Sequence, residues 1–296
     1  MVSDAHRQDC AYLGPDHRRN ERRTWIVTAI CSATLVAQVA GGLLFRSMAL
    51  TASGLHMAAH VAALLVAAGA YALARRHAVS PRFAFGTGKF GYLAGFANAL
   101  VLGMTAVLIA VESVQRLFAS EAVDYASALP LAVAGLGVTL VCVWLLKPTD
   151  QGRHDLNISA AHLHLTADAL FGLLAIAGLL AGQRLGWTWA DPIAGLTGAF
   201  LVAQFAVSLI RRATATLLDM NPSAELTAEI RSRLEAEGEQ VLDLHLWRLG
   251  PGHHAAVAVV NAAKPQAPEA YHARLKGVEG LSHVTVEVRG LEAVRV

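Results

Sequence analysis

Six stretches of the chain are long and apolar enough to cross a lipid bilayer, and they constrain the fold more than any other feature of the sequence. A helix needs about 20 apolar residues to cross the hydrocarbon of a membrane. Five stretches contain no Asp, Glu, Lys or Arg, and the other contains only Asp168. They are Thr24–Phe45, Ser47–Ala74, Phe90–Val111, Tyr125–Leu146, Leu156–Gln183 and Pro192–Ile210. The sequence therefore predicts an α-helical membrane protein with six transmembrane helices.

The composition excludes several other classes of protein. With 55% hydrophobic and 16% charged residues, the chain of 296 residues is too apolar for an ordinary soluble domain. A net charge of +2 leaves no basic surface of the kind that neutralises a phosphate backbone, so we expect no nucleic-acid partner. Three widely spaced cysteines encode neither a disulfide framework nor a CxxC metal site.

The Lys and Arg residues between the stretches predict the orientation of the chain. The N-terminal segment, the second and fourth connections and the end of the sixth stretch carry 13 of them, whereas the opposite side carries 3. Because cytoplasmic loops are enriched in Lys and Arg, both termini are predicted to lie in the cytoplasm. An even number of crossings agrees with this orientation.

The composition changes to that of a small soluble domain after the sixth stretch. We predict an N-terminal cytoplasmic segment (1–23), a six-helix transmembrane domain (24–212) and a cytoplasmic domain (213–296). In this domain, segments with apolar residues at helical spacing predict helices. Between them, segments such as 242–247 and 283–289, in which every second residue is apolar, predict strands. The order of these elements, αββαβ, predicts a small antiparallel sheet covered on one face by two helices.

Ionisable and imidazole side chains occur in two matched pairs within the membrane stretches. His56 and His60 are four residues apart in the second stretch, and His164 and Asp168 are four apart in the fifth. Residues at this spacing share one helix face, and charged groups at membrane depth cost enough to indicate function. If the two faces meet, they form a cage of four ligands.

Three imidazoles and one carboxylate favour a divalent first-row ion over Mg²⁺ or Ca²⁺, which prefer oxygen shells. The predicted ion is Co²⁺, Ni²⁺ or Zn²⁺. Gln38 and Asn98, also at membrane depth, are interpreted as groups that hydrogen-bond between helices rather than as ligands. The glycines of Phe85–Gly91 lack the spacing of a phosphate-binding loop, so close packing accounts for them better.

Motifs along nearly the whole chain resemble the cation diffusion facilitator family, and more narrowly its bacterial cobalt/nickel efflux branch. They comprise Asn20–Thr24, Ser47–Leu50, His56–Met57, His60, Phe85–Lys89, His164, Ala167–Ala169, Asp191–Pro192, Leu217–Asp219, Asp243–Trp247 and His283–Val288. Ser53 and Tyr92 depart from the pattern, because many members carry acids at these positions.

The resemblance implies a homodimer in the bacterial inner membrane, with a metallochaperone-like cytoplasmic domain and no enzymatic activity. It places the transported ion at His56, His60, His164 and Asp168. Because a metal competes with protons for such ligands, we expect export of Co²⁺ or Ni²⁺ in exchange for protons, with Zn²⁺ and Cd²⁺ as further candidate ions. A membrane metal sensor or storage protein is the main alternative, and a membrane di-iron oxidoreductase is a weaker one.

The cytoplasmic domain contains residues that suit a second metal site. Asp243, His245, His283 and Glu287 alternate with the apolar residues of two predicted strands. If those strands are neighbours, the four side chains could form a regulatory site. A solvated strand face explains the same pattern equally well.

Overall fold

The computed structural model describes residues 12–14, 16–44, 48–118, 125–148, 155–187 and 189–290. These residues form two compact units. The membrane unit comprises the described residues of 16–76 and 90–213, and the tail unit comprises 12–14, 77–89 and 214–290. The segment 77–89, which connects two transmembrane helices, thus belongs to the tail unit.

Six long helices make up the membrane unit, and each is long and apolar enough to cross a bilayer, as predicted. They are α1 (His17–Leu44), α2 (Met48–Arg76), α3 (Phe90–Phe118), α4 (Tyr125–Leu146), α5 (Leu156–Leu185) and α6 (Ala190–Leu217). The last residues of α6 continue into the tail unit. The chain is a multi-pass membrane protein.

Helix α1 begins seven residues before the apolar stretch that predicted it. Its polar first turns are helical because they are held by neighbouring helices. Glu21, which is buried, forms two hydrogen bonds of 3.0 Å with Arg75 of α2. Asn20 is also buried and donates to Asp155.

Four helices, α1, α2, α4 and α5, share one apolar core inside the membrane unit, and α3 packs against α2 and α5. Outward-facing apolar side chains such as Met104, Trp144 and Phe200 are more than 60% exposed, as expected for residues that contact lipid. The core residues are Val27, Cys31, Met57, Val61, Leu64, Cys142, Leu146, Ile158, Ala161 and Leu165.

The tail unit contains the predicted αββαβ order, but its sheet is mixed rather than antiparallel. Its elements are α7 (Ala224–Leu234), β1 (Gln240–Gly250), β2 (His253–Ala262), α8 (Pro268–Leu275) and β3 (Leu281–Gly290). The strand order is β1-β2-β3, with β1 antiparallel and β3 parallel to β2. The prediction of an antiparallel sheet is wrong because α8 forms a crossover, which returns the chain to the end of the sheet where β2 began.

A register shift in β1 changes which residues face the core of the tail unit. The shift lies between Val241 and Asp243, so Val241 is buried while Leu242 is 43% exposed. The predicted alternation therefore holds only from Leu244 onward. The core consists of Ile230, Leu234, Val241, Leu246, Ala256, Ala258, Val260, Tyr271, Leu275, Val278 and Val286.

The glycine-rich segment before α3 is tightly packed, as predicted. A Cβ atom on Gly88 would lie 2.5 Å from the carbonyl oxygen of Leu249, within the tail unit. The next residue, Lys89, forms an ion pair with Asp219 of the same unit. Within the membrane unit, a Cβ on Gly91 would lie 3.3 Å from Cβ of Asn157. Small side chains are therefore required on both sides of the start of α3.

Candidate metal centre

Three of the four predicted ligands meet between α2 and α5. Nδ1 of His60 lies 3.2 Å from Nε2 of His164 and 3.2 Å from Oδ2 of Asp168. Nε2 of His164 lies 3.4 Å from the same carboxylate oxygen. Among the described residues, this is a group of side chains that could hold a metal ion.

The spacing of these donor atoms matches a tetrahedral metal site. Zinc binds imidazole and carboxylate at about 2.0–2.2 Å, so neighbouring ligands of a tetrahedral ion lie about 3.3–3.5 Å apart. The observed separations of 3.2–3.4 Å agree with that value. The three donors could bind one small divalent ion without a large movement of the helices.

The centre is shielded from solvent. His60 is 5% exposed, His164 is 6% exposed, and the side chain of Asp168 is 10% exposed. His60 and His164, though not Asp168, line a cavity of ≈ 10 Å³ beside the three donors, which is about the volume needed to hold one water molecule. An ion bound here would lose nearly all of its hydration shell and depend on protein ligands.

Asn157 fixes the position of α5 against α2 two helical turns from the centre. Its Nδ2 donates to the backbone carbonyl of Ala67 at 2.8 Å, and the residue is fully buried. Ala67 follows His60 by seven residues, and Asn157 precedes His164 by seven. Because the helices run antiparallel there, this hydrogen bond places His164 opposite His60.

Asp155 joins the start of α5 to two other helices. As the N-cap residue, its carboxylate accepts from the backbone N–H of Asn157 at 3.0 Å. The same carboxylate accepts from Nδ2 of Asn20 at 3.1 Å and from the hydroxyl of Tyr71 at 2.5 Å. Hydrogen bonds to one buried group thus connect α1, α2 and α5.

The fourth predicted ligand, His56, lies in α2, one turn before His60. Its side chain lies outside the part that the structure describes, as does that of Ser53. Membership of His56 in the centre therefore stays a prediction.

The amino-acid sequence of the membrane unit matches a known family. Residues 24–218 match the cation efflux transmembrane domain. The chain belongs to the cation efflux family. A member with this buried centre is a cation efflux transporter, and its donor atoms suit a divalent metal ion.

Several characterised proteins are similar to this family member over most of its length. The zinc transporter ZitB of Escherichia coli is 31% identical over 252 residues, which cover 84% of this chain and 79% of ZitB. A cadmium, cobalt and zinc/H(+)-K(+) antiporter of Bacillus velezensis is 28% identical over 288 residues, covering 93% and 92%. The metal cation efflux system protein CzcD of Cupriavidus metallidurans is 32% identical over 246 residues, covering 82% and 77%.

These relatives do not single out the cobalt/nickel branch. Their names refer to zinc, cadmium and cobalt, and none of the three names nickel. The similarity therefore supports the family as a whole rather than the branch that the motifs of this member resemble.

The structure does not bring the four predicted tail ligands together. Asp243 and His245 are on β1, whereas His283 and Glu287 are on β3, and β2 lies between them. Asp243 pairs with His245 at 2.9 Å on the exposed strand, and Glu287 pairs with Arg289 at 2.7 Å. The condition on which the second site depended, neighbouring strands, is not met.

The residues that position the centre are not among the predicted site residues. Asp155 and Asn157 flank the first residue of α5, and an Asp directly before an apolar stretch is a recognisable N-cap signal. Their contacts with α1 and α2 involve residues far apart in sequence, which no local pattern reveals.

Proposed function

We propose that the protein exports a divalent transition-metal ion from the cytoplasm in exchange for protons. The ion binds midway through the membrane unit at His60, His164 and Asp168, with His56 as a fourth ligand. The observation that supports this proposal is the spacing of the three described donor atoms, which corresponds to the ligand spacing of a tetrahedral ion.

The nature of the donor atoms favours particular ions. Imidazole and carboxylate at tetrahedral spacing suit Zn²⁺ and Co²⁺, whereas Ni²⁺ more often takes square-planar coordination in such N,O sites. Relatives named for zinc, cadmium and cobalt support the same set. We therefore propose Zn²⁺ and Co²⁺ as the main substrates and Cd²⁺ and Ni²⁺ as weaker ones.

Proton exchange follows from the chemistry of ligation. An imidazole that binds a metal must be neutral and a carboxylate must be ionised, so the ion and protons compete for the same lone pairs. With neutral histidines, the three described groups carry a charge of −1, and a bound divalent ion changes it to +1. Protons that enter from an acidic exterior would displace the ion outward, and helices would then rearrange around the same site to release them inward.

Metal flux into proteoliposomes tests the proposal. Vesicles containing a Zn²⁺-sensitive dye and an acidic lumen should take up Zn²⁺ through the purified protein. Protons should leave the lumen at the same time, so the pH of a weakly buffered external solution should fall. His60→Ala and His164→Ala should lose at least about 90% of the uptake, because each removes a ligand. His245→Ala removes an exposed histidine of the tail unit and should transport at the parental rate.

Two results would contradict this function. Uptake by His164→Ala at the parental rate would show that the centre does not carry the ion. Tight Zn²⁺ binding without uptake under any pH gradient would instead favour a metal sensor or storage protein.

We also propose that the transporter is a homodimer without enzymatic activity, as the family resemblance implies. Light scattering of the protein in detergent should give twice the mass of one chain after the detergent is subtracted. A monomeric mass over the concentrations used for transport would refute the dimer while leaving the transport proposal intact.

A further inference from the structure

Asn98 of α3 is a buried polar residue beside the metal centre that the three ligands do not explain. Its side chain is 3% exposed, and among the described residues its Oδ1 has no hydrogen-bond partner. The sequence predicts that Asn98 hydrogen-bonds between helices, but its Oδ1 makes no such bond among the described residues. Asn98 lines the same cavity as His60 and His164.

The packing of α3 explains why Asn98 faces the centre. Gly91 of α3 lies against Asn157 of α5, where a Cβ on the glycine would be 3.3 Å from that side chain. Asn98 follows Gly91 by seven residues, and His164 follows Asn157 by seven. Two helical turns bring each helix back to the same face, so the parallel helices place Asn98 beside His164.

A buried amide oxygen without a partner destabilises the protein. Leaving an acceptor unsatisfied costs about 1–3 kcal/mol, and the hydrocarbon region supplies no water to lower that cost. The cavity of ≈ 10 Å³ beside Asn98 has room for about one water-sized particle. A cation bound by His60 and His164, which line this cavity, would attract the amide oxygen, which is the negative end of a strong dipole.

We propose that Asn98 supplies a neutral oxygen ligand to the transported ion. This inference rests on the proposed function and adds a third helix, α3, to the two that carry the other ligands. With His56 also bound, the ion would have five ligands, so the tetrahedral arrangement would expand to a five-coordinate one. Because the amide carries no charge, the loaded centre keeps the net charge set by Asp168. An additional oxygen favours harder ions, so Asn98 would favour Zn²⁺ and Co²⁺ over the softer Cd²⁺.

Equilibrium binding of Co²⁺ to the full-length protein in detergent tests the inference, because the visible absorption of Co²⁺ reports its ligands and geometry. Asn98→Leu keeps the approximate volume and removes the oxygen. It should weaken Co²⁺ binding at least about tenfold, shift the visible bands and lower the preference for Zn²⁺ over Cd²⁺. Asn98→Asp retains an oxygen and should restore Co²⁺ binding.

Gln38→Leu is the matched control. Gln38 is another buried amide of the membrane unit whose Oε1 has no partner among the described residues, but it does not line the cavity. This variant should bind Co²⁺ with the parental affinity and spectrum. An equal loss in both Leu variants would show a general effect of removing a buried amide and would refute a ligand role for Asn98.

Two further outcomes separate this inference from the proposed function. If Co²⁺ bound to Asn98→Leu gave the same visible spectrum as in the parent, the ion would have kept all its ligands. That result would overturn the ligand role of Asn98, whatever the affinity of the variant. Parental Co²⁺ binding by His164→Ala would overturn the proposed function itself. Loss of binding in His164→Ala together with unchanged binding in Asn98→Leu would refute only the inference.

Discussion

Asp168 determines the net charge of the metal centre, since the other two described donors are imidazoles. Its carboxylate oxygen lies within 3.4 Å of both histidines. In a setting with so little water, a single charge has a larger effect on ion binding than it would have at the surface. The identity of this one side chain therefore decides how strongly the centre attracts a divalent cation.

We expect Asp168→Asn to weaken Zn²⁺ binding at least 100-fold while leaving the fold intact, because the amide has nearly the same shape but no charge. Isothermal titration of the full-length protein would measure the affinity. Asp191→Asn is the control: Asp191 lies in the first turn of α6, 3.5 Å from Arg116, away from the centre. Parental affinity in Asp168→Asn would show that the carboxylate is not a ligand.

At the residue scale, sequence patterns predict ligands only where the ligands recur at a regular helical spacing. The spacing of four residues predicted that His164 and Asp168 share a face, and the structure places them 3.4 Å apart with His60 alongside. Asn98 and Asn157 have no such partner at helical spacing. Their roles depend on which helices pack together, and many arrangements of six apolar helices satisfy the same hydropathy.

At the scale of elements, hydrogen bonds join the start of α5 to two other helices of the membrane unit. Asp155 caps it and also receives hydrogen bonds from Asn20 and Tyr71. The metal ligand His164 follows on the same helix. A change at the cap should therefore affect both the order of the helix end and the position of the ligand.

Asp155→Ala should destabilise the start of α5 by about 2 kcal/mol or more, because it removes the cap and leaves two buried donors unpaired. Hydrogen exchange in peptides from residues 156–163 should become at least about tenfold faster. Ser223→Ala removes the comparable cap of α7 and should leave exchange in α5 unchanged. Parental exchange in Asp155→Ala would show that packing alone holds this helix end.

Ion pairs in the tail unit predict a dependence of its stability on pH. Oε1 of Glu239 lies 2.8 Å from Arg274, and this contact lowers the pKa of the carboxyl group. A lowered pKa in the folded state means that the unfolded chain binds more protons in acid. The contribution of this ion pair to stability is complete above the pKa of the unfolded carboxyl group, about 4.3. It is lost as the pH falls through the lower pKa that Glu239 has in the folded state.

Glu239→Gln should therefore destabilise the tail unit at pH 7 and reduce the loss of stability in acid. Hydrogen exchange in peptides from β1 and α8, corrected for the intrinsic rate at each pH, would measure both effects. Glu229→Gln breaks an exposed pair with Arg233 and should change exchange little, as is usual for surface pairs. If the two variants changed hydrogen exchange equally, the Glu239–Arg274 pair would not be the source of the pH dependence.

The mixed sheet shows why local patterns predict elements better than their arrangement. The alternation of apolar residues located β1 and β3, but it does not encode strand direction. Because helix α8 lies between β2 and β3, the order of elements by itself favours a parallel pair. The register shift at Val241 does not follow from that order, because it depends on pairing with β2.

At the scale of the whole molecule, the chain passes between the two units several times. The segment 77–89 and residues 12–14 belong to the tail unit although the membrane unit contains the neighbouring helices. If the six helices all cross the membrane, both chain ends and segment 77–89 lie on one side. The excess of Lys and Arg in these parts of the chain predicts that this side is the cytoplasm.

Reporter fusions in a Gram-negative host test this orientation. A fluorescent protein fused after Val296 should fold and fluoresce in the cytoplasm, whereas alkaline phosphatase at that position should be inactive because it requires export. Phosphatase inserted after Gly186, between α5 and α6, should be active. The inverse pattern would refute the orientation, and with it export from the cytoplasm driven by an inward proton gradient. Activity of phosphatase at both positions would instead contradict six crossings, since Gly186 and the C-terminus are separated by α6 alone.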